Sequence, residues 1–173
     1  MPVIARFRSG LTAVHTATAP TNDLGVGTGA SIDLGAFVDF SLADGTTVGA
    51  ADRIFADTRT VNASTNDDVD LAGTLTDSFG ATVTFVKVKG IWVRAAAANT
   101  QTFTVGAAPS NGWATMLAAA GVIMRPGAAF SVLTGAADNT AYGVTAGTGD
   151  LLRIANGAGA SIAYDIVIVG TSA

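Results

Sequence analysis

Residues 82–106 read TVTFVKVKGIWVRAAAANTQTFTVG, and this stretch indicates the fold class more clearly than any other part of the chain. It contains two runs of Val, Ile, Phe, Trp and Thr, which are residues that strands prefer. A lysine pair lies inside the first run, but the stretch holds no group of residues with an obvious reactive role. It therefore predicts β-structure and little chemistry.

The two lysines constrain how this strand is arranged. Alternate residues of a strand face the same side, so an unbroken strand would place Lys87 and Lys89 within an apolar row. Charged groups are rarely buried unless they are paired. We therefore expect the strand to switch faces, with Val86 and Val88 pointing inward and a β-bulge at Gly90. The alternative is that both lysines contact a second subunit.

Residues 161–170, SIAYDIVIVG, form the second strong strand signal. One side of this strand carries large apolar side chains, namely Ile162, Tyr164, Ile166 and Ile168. The other side is also largely apolar, because Val167 and Val169 share it with Asp165. A strand with two apolar faces is either central in its sheet or covered by a neighbouring subunit, and the sequence leaves both possibilities open.

The composition of the 173-residue chain supports an all-β fold. All 13 acidic residues are Asp, and Lys and Gln are nearly missing, so the polar residues that favour helices are scarce. Thr, Val, Gly and Asp are abundant, as strands and turns prefer. The length suits one domain with a substantial core.

Eight candidate strands lie between turn-rich gaps such as Asp44-Gly45, Asn111-Gly112, Pro126-Gly127 and Asn156-Gly157. The candidate strands are 38–42, 53–61, 69–75, 82–95, 103–105, 130–133, 151–154 and 162–169. This pattern predicts a jelly-roll-like antiparallel β-sandwich over residues 37–173. Residues 1–36 show neither alternation nor a helical stripe, and they are predicted to form an extended N-terminal arm.

The low charge predicts a surface that a partner covers. Charged residues make up 13% of the chain, against about 25% in typical soluble domains. The net charge of −4 argues against a nucleic-acid partner, because phosphate binding needs clustered Lys and Arg. No apolar run approaches the length of a membrane span, so no membrane partner is expected.

Residue chemistry argues against an enzyme. The chain has no Cys and no Glu, and His15 is its single histidine, so a catalytic site centred there would need distant Asp partners. Three carboxylates in Asn66–Asp70 resemble a calcium-binding loop, but the Gly and the Glu of that motif are missing, which favours a structural turn. We therefore predict no catalytic, cofactor or metal site.

Basic residues on an otherwise neutral surface are the candidate interface. Arg53, Asp57 and Arg59 share one side of a predicted strand, which forms either a solvated face or a docking surface with opposite charges. The full set of candidate interface residues is Arg6, Arg8, Arg53, Arg59, Lys87 and Lys89. Three aromatic residues, Trp92, Trp113 and Tyr142, would suit stacking on sugars if exposed, although core positions are the more common use of such side chains.

Four segments resemble small structural proteins encoded among the virion genes of tailed bacteriophages. They are ADRIFADTRT at 51–60, DLAGTLTDSFGATVTFVKVKGIWVRAA at 70–96, RPGAAF at 125–130 and TAGTGDLLRIANGAGASIAYDIVIVGTSA at 145–173. The resemblance covers residues 37–173 and consists of strands and turns without a catalytic signature.

The resemblance implies a head decoration (cement) protein with a jelly-roll-like fold. Such a protein would be made in the host cytoplasm, bind the major capsid protein on the capsid surface of the virion, and assemble as a trimer or dimer. The alternative is a head-fibre or tail-associated jelly-roll module that binds host-surface glycans.

Overall fold

The structure of the chain is a computed structural model, and it describes residues 3, 5–16, 31–118 and 120–173. The regular elements in these ranges are strands, which confirms the predicted all-β class. Within the same ranges, no helix is long and apolar enough to cross a membrane.

Fourteen strands are described. In chain order they are β1 (Ala5–Thr16), β2 (Ser31–Asp44), β3 (Ala50–Ala51), β4 (Arg53–Val61), β5 (Asn66–Asp70), β6 (Leu75–Thr76), β7 (Thr82–Val83), β8 (Lys87–Ala95), β9 (Phe103–Ala107), β10 (Val122–Met124), β11 (Ala129–Leu133), β12 (Tyr142–Gly143), β13 (Leu151–Asn156) and β14 (Ile162–Thr171).

Two antiparallel sheets form a sandwich-like fold. The larger sheet has the order β11-β8-β14-β4, with β12 also paired to β8, and the smaller has the order β10-β9-β13-β5. Strands β6 and β7 form a short antiparallel pair. Apolar side chains from both large sheets form one core, which confirms the predicted β-sandwich.

The chain divides into two compact units, of which one comprises Met1–Ala5 and Ser41–Ala173 and the other Arg6–Phe40. The second unit contains β1 and most of β2, which pair with each other. The first strand predicted from the sequence, 38–42, lies within β2, but β1 and the first part of β2 were missed, because strand pairing does not require an alternating apolar pattern. The division between an arm and a sandwich at residue 36 stays a prediction.

Strand β14 is central in the larger sheet, as one of the two sequence interpretations requires. It pairs with β4 along one side and with β8 along the other, both antiparallel. Its side chains Ile162, Tyr164, Ile166 and Ile168 are at most 1% exposed and lie in the core. Burial of each such side chain contributes about 1.5–3 kcal/mol before the conformational entropy cost.

The predicted face switch in β8 is confirmed. On the neighbouring strand, Val169 pairs with Gly90, but the next residue, Gly170, pairs with Val88, so Lys89 is the extra residue of a β-bulge. The bulge changes the alternation, and Val88 and Ile91 are therefore both buried. A Cβ atom on Gly170 would collide with the backbone at this bulge, which explains the glycine.

The predicted inward position of Val86 is wrong. Its residue surface is 40% exposed, whereas Phe85 is buried in the core. The backbone bends at Val86 before β8 begins, so the alternation is also reset between Phe85 and Val88. The sequence pattern showed that a switch is needed, but it did not show that the chain uses both a bend and a bulge.

The turn predictions are mostly confirmed. Asn111 and Gly127 have positive φ values of 53° and 74°, and Ala128 N–H donates to the Arg125 carbonyl across the Pro126-Gly127 turn. The turn predicted at Asn156 begins later, because Asn156 is the last residue of β13.

We predict that Ile166→Ala lowers the free energy of unfolding by about 2–5 kcal/mol, because it leaves a cavity in the middle of the central strand. The matched control is Val167→Ala on the opposite side of the same strand, where the side chain is only half-buried and the expected loss is about 1 kcal/mol or less. Chemical denaturation of both variants checks this; equal losses would contradict the assignment of the two faces.

Candidate functional site

The side of the larger sheet that points away from the core is a continuous surface across four strands. Residues paired across neighbouring strands point to the same side of the sheet, so the pairing defines this surface, which we call the outer face. It consists of Ile54, Ala56, Thr58 and Thr60 of β4, Ala163, Asp165, Val167 and Val169 of β14, Trp92 and Arg94 of β8, and Ala129, Ser131 and Leu133 of β11.

A polar row crosses three strands of the outer face. The pairing places Thr58, Asp165 and Arg94 side by side. Thr58 Oγ1 donates to Asp165 Oδ1 at 2.8 Å, and Arg94 Nε and Nη2 donate to Asp165 Oδ2 at 2.9 and 2.6 Å. The acidic and basic charges of this row therefore neutralise each other within the chain.

The row also changes the ionisation of its carboxylate. The hydrogen bond from Thr58 and then the hydrogen bonds and charge of Arg94 lower the pKa of Asp165 below its ordinary value. Asp165 thus stays ionised wherever the row is intact. The ionised carboxylate balances the charge of Arg94.

Next to the polar row lies an apolar row. The strand pairing aligns Ala56, Val167 and Trp92, of which Ala56 is exposed and the other two are half-buried. The Arg94 guanidinium lies 5.5 Å from the centroid of the Trp92 ring, a distance at which a cation is attracted to the ring face. The outer face is therefore broad, largely apolar and free of net charge in these two rows.

Two predicted interface residues, Arg53 and Arg59, already have acidic partners in the same chain. Arg53 Nη1 lies 3.0 Å from Asp52 Oδ2. Arg59 Nε donates to Asp57 Oδ2 at 2.9 Å, and its Nη1 donates to both oxygens of Asp67 at 3.0 and 3.1 Å. The charged stripe of β4 is thus internally paired, and its role as a docking surface stays a prediction.

Arg59 is part of a network that joins the two sheets. Tyr164 is 1% exposed, and its hydroxyl donates to Asp67 Oδ2 at 2.7 Å. Burial, with the hydrogen bond to Asp67, raises the pKa of Tyr164 well above its ordinary value. Burial alone would lower the pKa of Arg59, but its bonds to Asp57 and Asp67 raise it overall. Within the network these shifts favour the charged form of Arg59 and the neutral form of Tyr164.

The two lysines of β8 lie in different environments. Lys87 is half-buried, whereas Lys89 is 3% exposed and donates from Nζ to the Thr47 carbonyl at 3.1 Å. Burial, together with the nearby charge of Lys87, lowers the pKa of Lys89. Lys89 therefore binds a loop of its own chain; a contact with another protein at this position stays a prediction.

The remaining predicted interface residues, Arg6 and Arg8, lie on β1. Arg6 is exposed and donates from Nε and Nη2 to the two oxygens of Asp39 at 2.9 and 2.7 Å, which raises its pKa. The Arg8 side chain lies outside the described residues. The six candidates thus form an Arg pair on β4, a Lys pair on β8 and an Arg pair on β1.

The acidic segment Asn66–Asp70 supports the fold. Asp67 pairs with Arg59, while Asp68 accepts two hydrogen bonds from Arg153 at 2.6 and 2.7 Å. Asp70 accepts a hydrogen bond from Ala72 N–H at 3.0 Å. In the part of the chain that the structure describes, no group of three metal-ligating side chains is arranged to hold an ion.

The three aromatic candidates are not equally accessible. Trp113 is fully buried, donates from Nε1 to the Gly143 carbonyl at 2.8 Å and packs edge-on against Tyr142. It is therefore not available to stack on a sugar. Trp92 is the one of the three that lies on the outer face.

Comparisons of the chain with protein-family models, curated proteins and solved structures found no significant match. The residues that matter most on the outer face, Arg94 and Asp165, were not identified as site residues from the sequence. Each of the two is a charged residue within an apolar strand, which is visible in the sequence. Only the pairing of β8 with β14 shows that the two side chains meet.

We predict that Thr58→Val raises the pKa of Asp165 toward its ordinary value, because the isosteric change removes the hydrogen bond that contributes most to the shift. The matched control is Thr60→Val, two residues along the same face of β4, which should leave the Asp165 pKa unchanged. Titration of the Asp165 carboxyl carbon by NMR measures both values.

The same shift predicts the pH dependence of stability. The pKa of Asp165 is lower in the folded protein than in the unfolded chain, where it is about 3.9. Its stabilising contribution is therefore fully present above the unfolded value and is lost as the pH falls through the folded value. Asp165→Asn should flatten this part of the stability profile, and an unchanged profile would contradict the assignment.

Proposed function

We propose that this protein is a structural component of a tailed-phage virion, a decoration protein that binds the outside of the assembled head and stabilises it. The observation that carries the proposal is the outer face, which is wide, weakly charged and built from regular strands. We further propose that the sandwich has jelly-roll connectivity, that the partner is the major capsid protein, and that the protein assembles with copies of itself.

The segments that resemble phage virion proteins supply most of this surface. Residues 51–60 contain β4 apart from its last residue, 70–96 contain β8, and 145–173 contain β14. These are the three strands that carry the polar row and the apolar row of the outer face. The resemblance and the candidate surface therefore coincide in the same strands.

The charge arrangement suits a surface that becomes buried. An unpaired charge that is taken out of water costs several kcal/mol, as an order of magnitude, unless a partner compensates it. On the outer face, Asp165 already accepts hydrogen bonds from Thr58 and Arg94, so a partner need not supply a counter-charge. The apolar row of Ala56, Val167 and Trp92 would then gain free energy when covered.

Stabilisation of the assembled head would follow from mass action. A protein that binds only the assembled shell stabilises that state by its binding free energy, about 2.7 kcal/mol per site at a concentration 100 times the dissociation constant. The same contact repeated over a lattice multiplies the effect without any chemical step. This mechanism needs neither a cofactor nor a catalytic residue. Under this proposal the protein is made in the host cytoplasm and then binds the capsid surface.

The test is addition of the purified protein to phage heads that lack decoration. We expect it to sediment with the heads and to raise their melting temperature.

Trp92→Ala should weaken binding by about tenfold or more, because large aromatic side chains dominate interface energetics. The matched control is Ile123→Ala, an exposed apolar residue on the smaller sheet, which should bind normally.

Two outcomes would contradict the proposal. Absence of binding to decoration-free heads would remove the decoration role. Binding to a glycan array that is lost in Trp92→Ala, without binding to heads, would replace it with the alternative of a head-fibre or tail-associated module that recognises host-surface glycans.

A further inference from the structure

Strand β4 forms one edge of the larger sheet. It pairs with β14 over its whole length, from Arg53 opposite Gly170 to Val61 opposite Ile162. No other strand among the described residues pairs with its second side. Nine residues of edge strand are long for an unprotected edge, because such an edge offers hydrogen-bonding groups to any extended chain.

The hydrogen bonds of β14 show which groups of β4 point outward. The Ala163 carbonyl accepts from Ala96 N–H, so the odd-numbered residues of β14 point their backbone groups toward β8. The backbone groups of the even-numbered residues of β14 therefore point toward β4. These residues pair with the odd-numbered residues of β4, from Arg53 to Val61. The backbone groups that point outward therefore belong to Ile54, Ala56, Thr58 and Thr60.

Further contacts agree with this assignment. Asp52 N–H donates to the carbonyl of Gly170, an even-numbered residue of β14. Thr58 N–H has no strand partner and donates to the side chain of its neighbour Asp57 at 2.9 Å, a bond that pairing with a second copy would replace. The backbone N–H groups of Ile54, Ala56 and Thr60 have no such bond within the described chain.

Open space lies beside this edge. Clefts of about 460, 260 and 370 Å³ follow β4 from Arg53 to Val61. Residues 74–79 and 81–83 of the same chain form the far wall of the first two clefts, so a second copy would enter between β4 and this segment. The first cleft is also lined by Ile54, Ala56 and Phe79, and the Phe79 residue is 76% exposed. An apolar side chain and unpaired backbone groups thus occur along the same side of β4.

We propose that β4 pairs with β4 of a second copy of this chain, in antiparallel orientation about a two-fold axis at Thr58. The larger sheets of the two copies then form one continuous sheet. This inference rests on the self-assembly in the proposed function and deepens it by naming the strand and the register of the interface, which do not depend on binding to a capsid.

The charges of β4 select this register. With the axis at Thr58, Asp57 of each copy lies opposite Arg59 of the other, and Phe55 lies opposite Val61. An axis at Asp57 would place two carboxylates opposite each other, and an axis at Arg59 would oppose two guanidinium groups. Like charges in directly opposite positions destabilise a sheet.

The hydrogen bonds are compatible with this register and also with axes at Asp57 or Arg59, which the like charges disfavour. A register displaced by one residue would place a residue whose backbone groups point outward opposite one whose backbone groups point toward β14. The hydrogen bonds between the two copies of β4 would then not form. With the axis at Thr58, outward-pointing residues meet each other, because Thr58 pairs with itself and Ala56 with Thr60. The surface is therefore self-complementary, as a two-fold interface requires.

Cysteine cross-linking tests the register, since the natural chain contains no Cys. Thr58→Cys places two thiols in directly opposite positions, with Cα atoms about 5.5 Å apart, within reach of a disulfide. In Ala56→Cys or Thr60→Cys the matching thiols are about 13 Å apart along the strand. We expect Thr58→Cys to form a disulfide-linked dimer at least about tenfold faster than either control.

Two proline substitutions, one on each edge of the larger sheet, test whether the β4 edge forms the interface. Ala56→Pro removes an outward N–H and should convert a dimer to a monomer in sedimentation velocity. The matched control is Ala129→Pro on β11, the opposite edge of the same sheet, where Ala128 faces β8 and Ala129 therefore faces outward. The control should remain dimeric, with an unchanged circular dichroism spectrum in both variants.

A monomeric natural protein at its highest soluble concentration would overturn the proposal. So would equal cross-linking rates at positions 56, 58 and 60, or a dimer that survives Ala56→Pro. If Ala56→Pro does not fold, the cross-linking rates alone decide. Failure of head binding with rapid cross-linking at position 58 would remove the decoration role and leave the β4 interface in place.

Discussion

The structure depends on the pairing of β14 with two strands at once. Its backbone hydrogen-bonds to β4 on one side and to β8 on the other, and its Ile-rich face fills the middle of the core. Because the strand is fixed on three sides, every side chain on it has one defined direction. The remaining sides of the larger sheet, its outer face and its free edge, are defined by the same pairing.

Two kinds of contact surface follow from one sheet. The outer face offers side chains, with Trp92 and Val167 beside the neutralised pair of Asp165 and Arg94. The β4 edge offers backbone groups, and its charges restrict which strand it accepts. On the outer face Arg94 pairs with Asp165, and on β4 Arg53 and Arg59 pair with acidic residues of the same chain.

The sequence was sufficient where a pattern is local. The apolar residues of β14 predicted a strand that can be central in its sheet, although its second face is only half-buried. The lysines of β8 predicted a face switch, although the extra residue of the bulge is Lys89 and not Gly90. The sequence was insufficient where position depends on distant partners, as for Arg94 and Asp165, which are 71 residues apart. It also missed β10 and β12, whose few residues carry too little pattern, and it could not place Lys89, whose burial depends on a loop carbonyl at Thr47.

The long separation between β4 and β14 has a consequence for the newly made chain. Thr58 and Asp165 meet across 107 residues of sequence, so β4 is synthesised long before its partner exists. Loop closure over such a distance makes the sheet slow to assemble. During that interval both sides of β4 are open to misassociation. Alternating Asp57 and Arg59 then act as gatekeepers, because opposite charges on a bare strand discourage aggregation in all but one alignment.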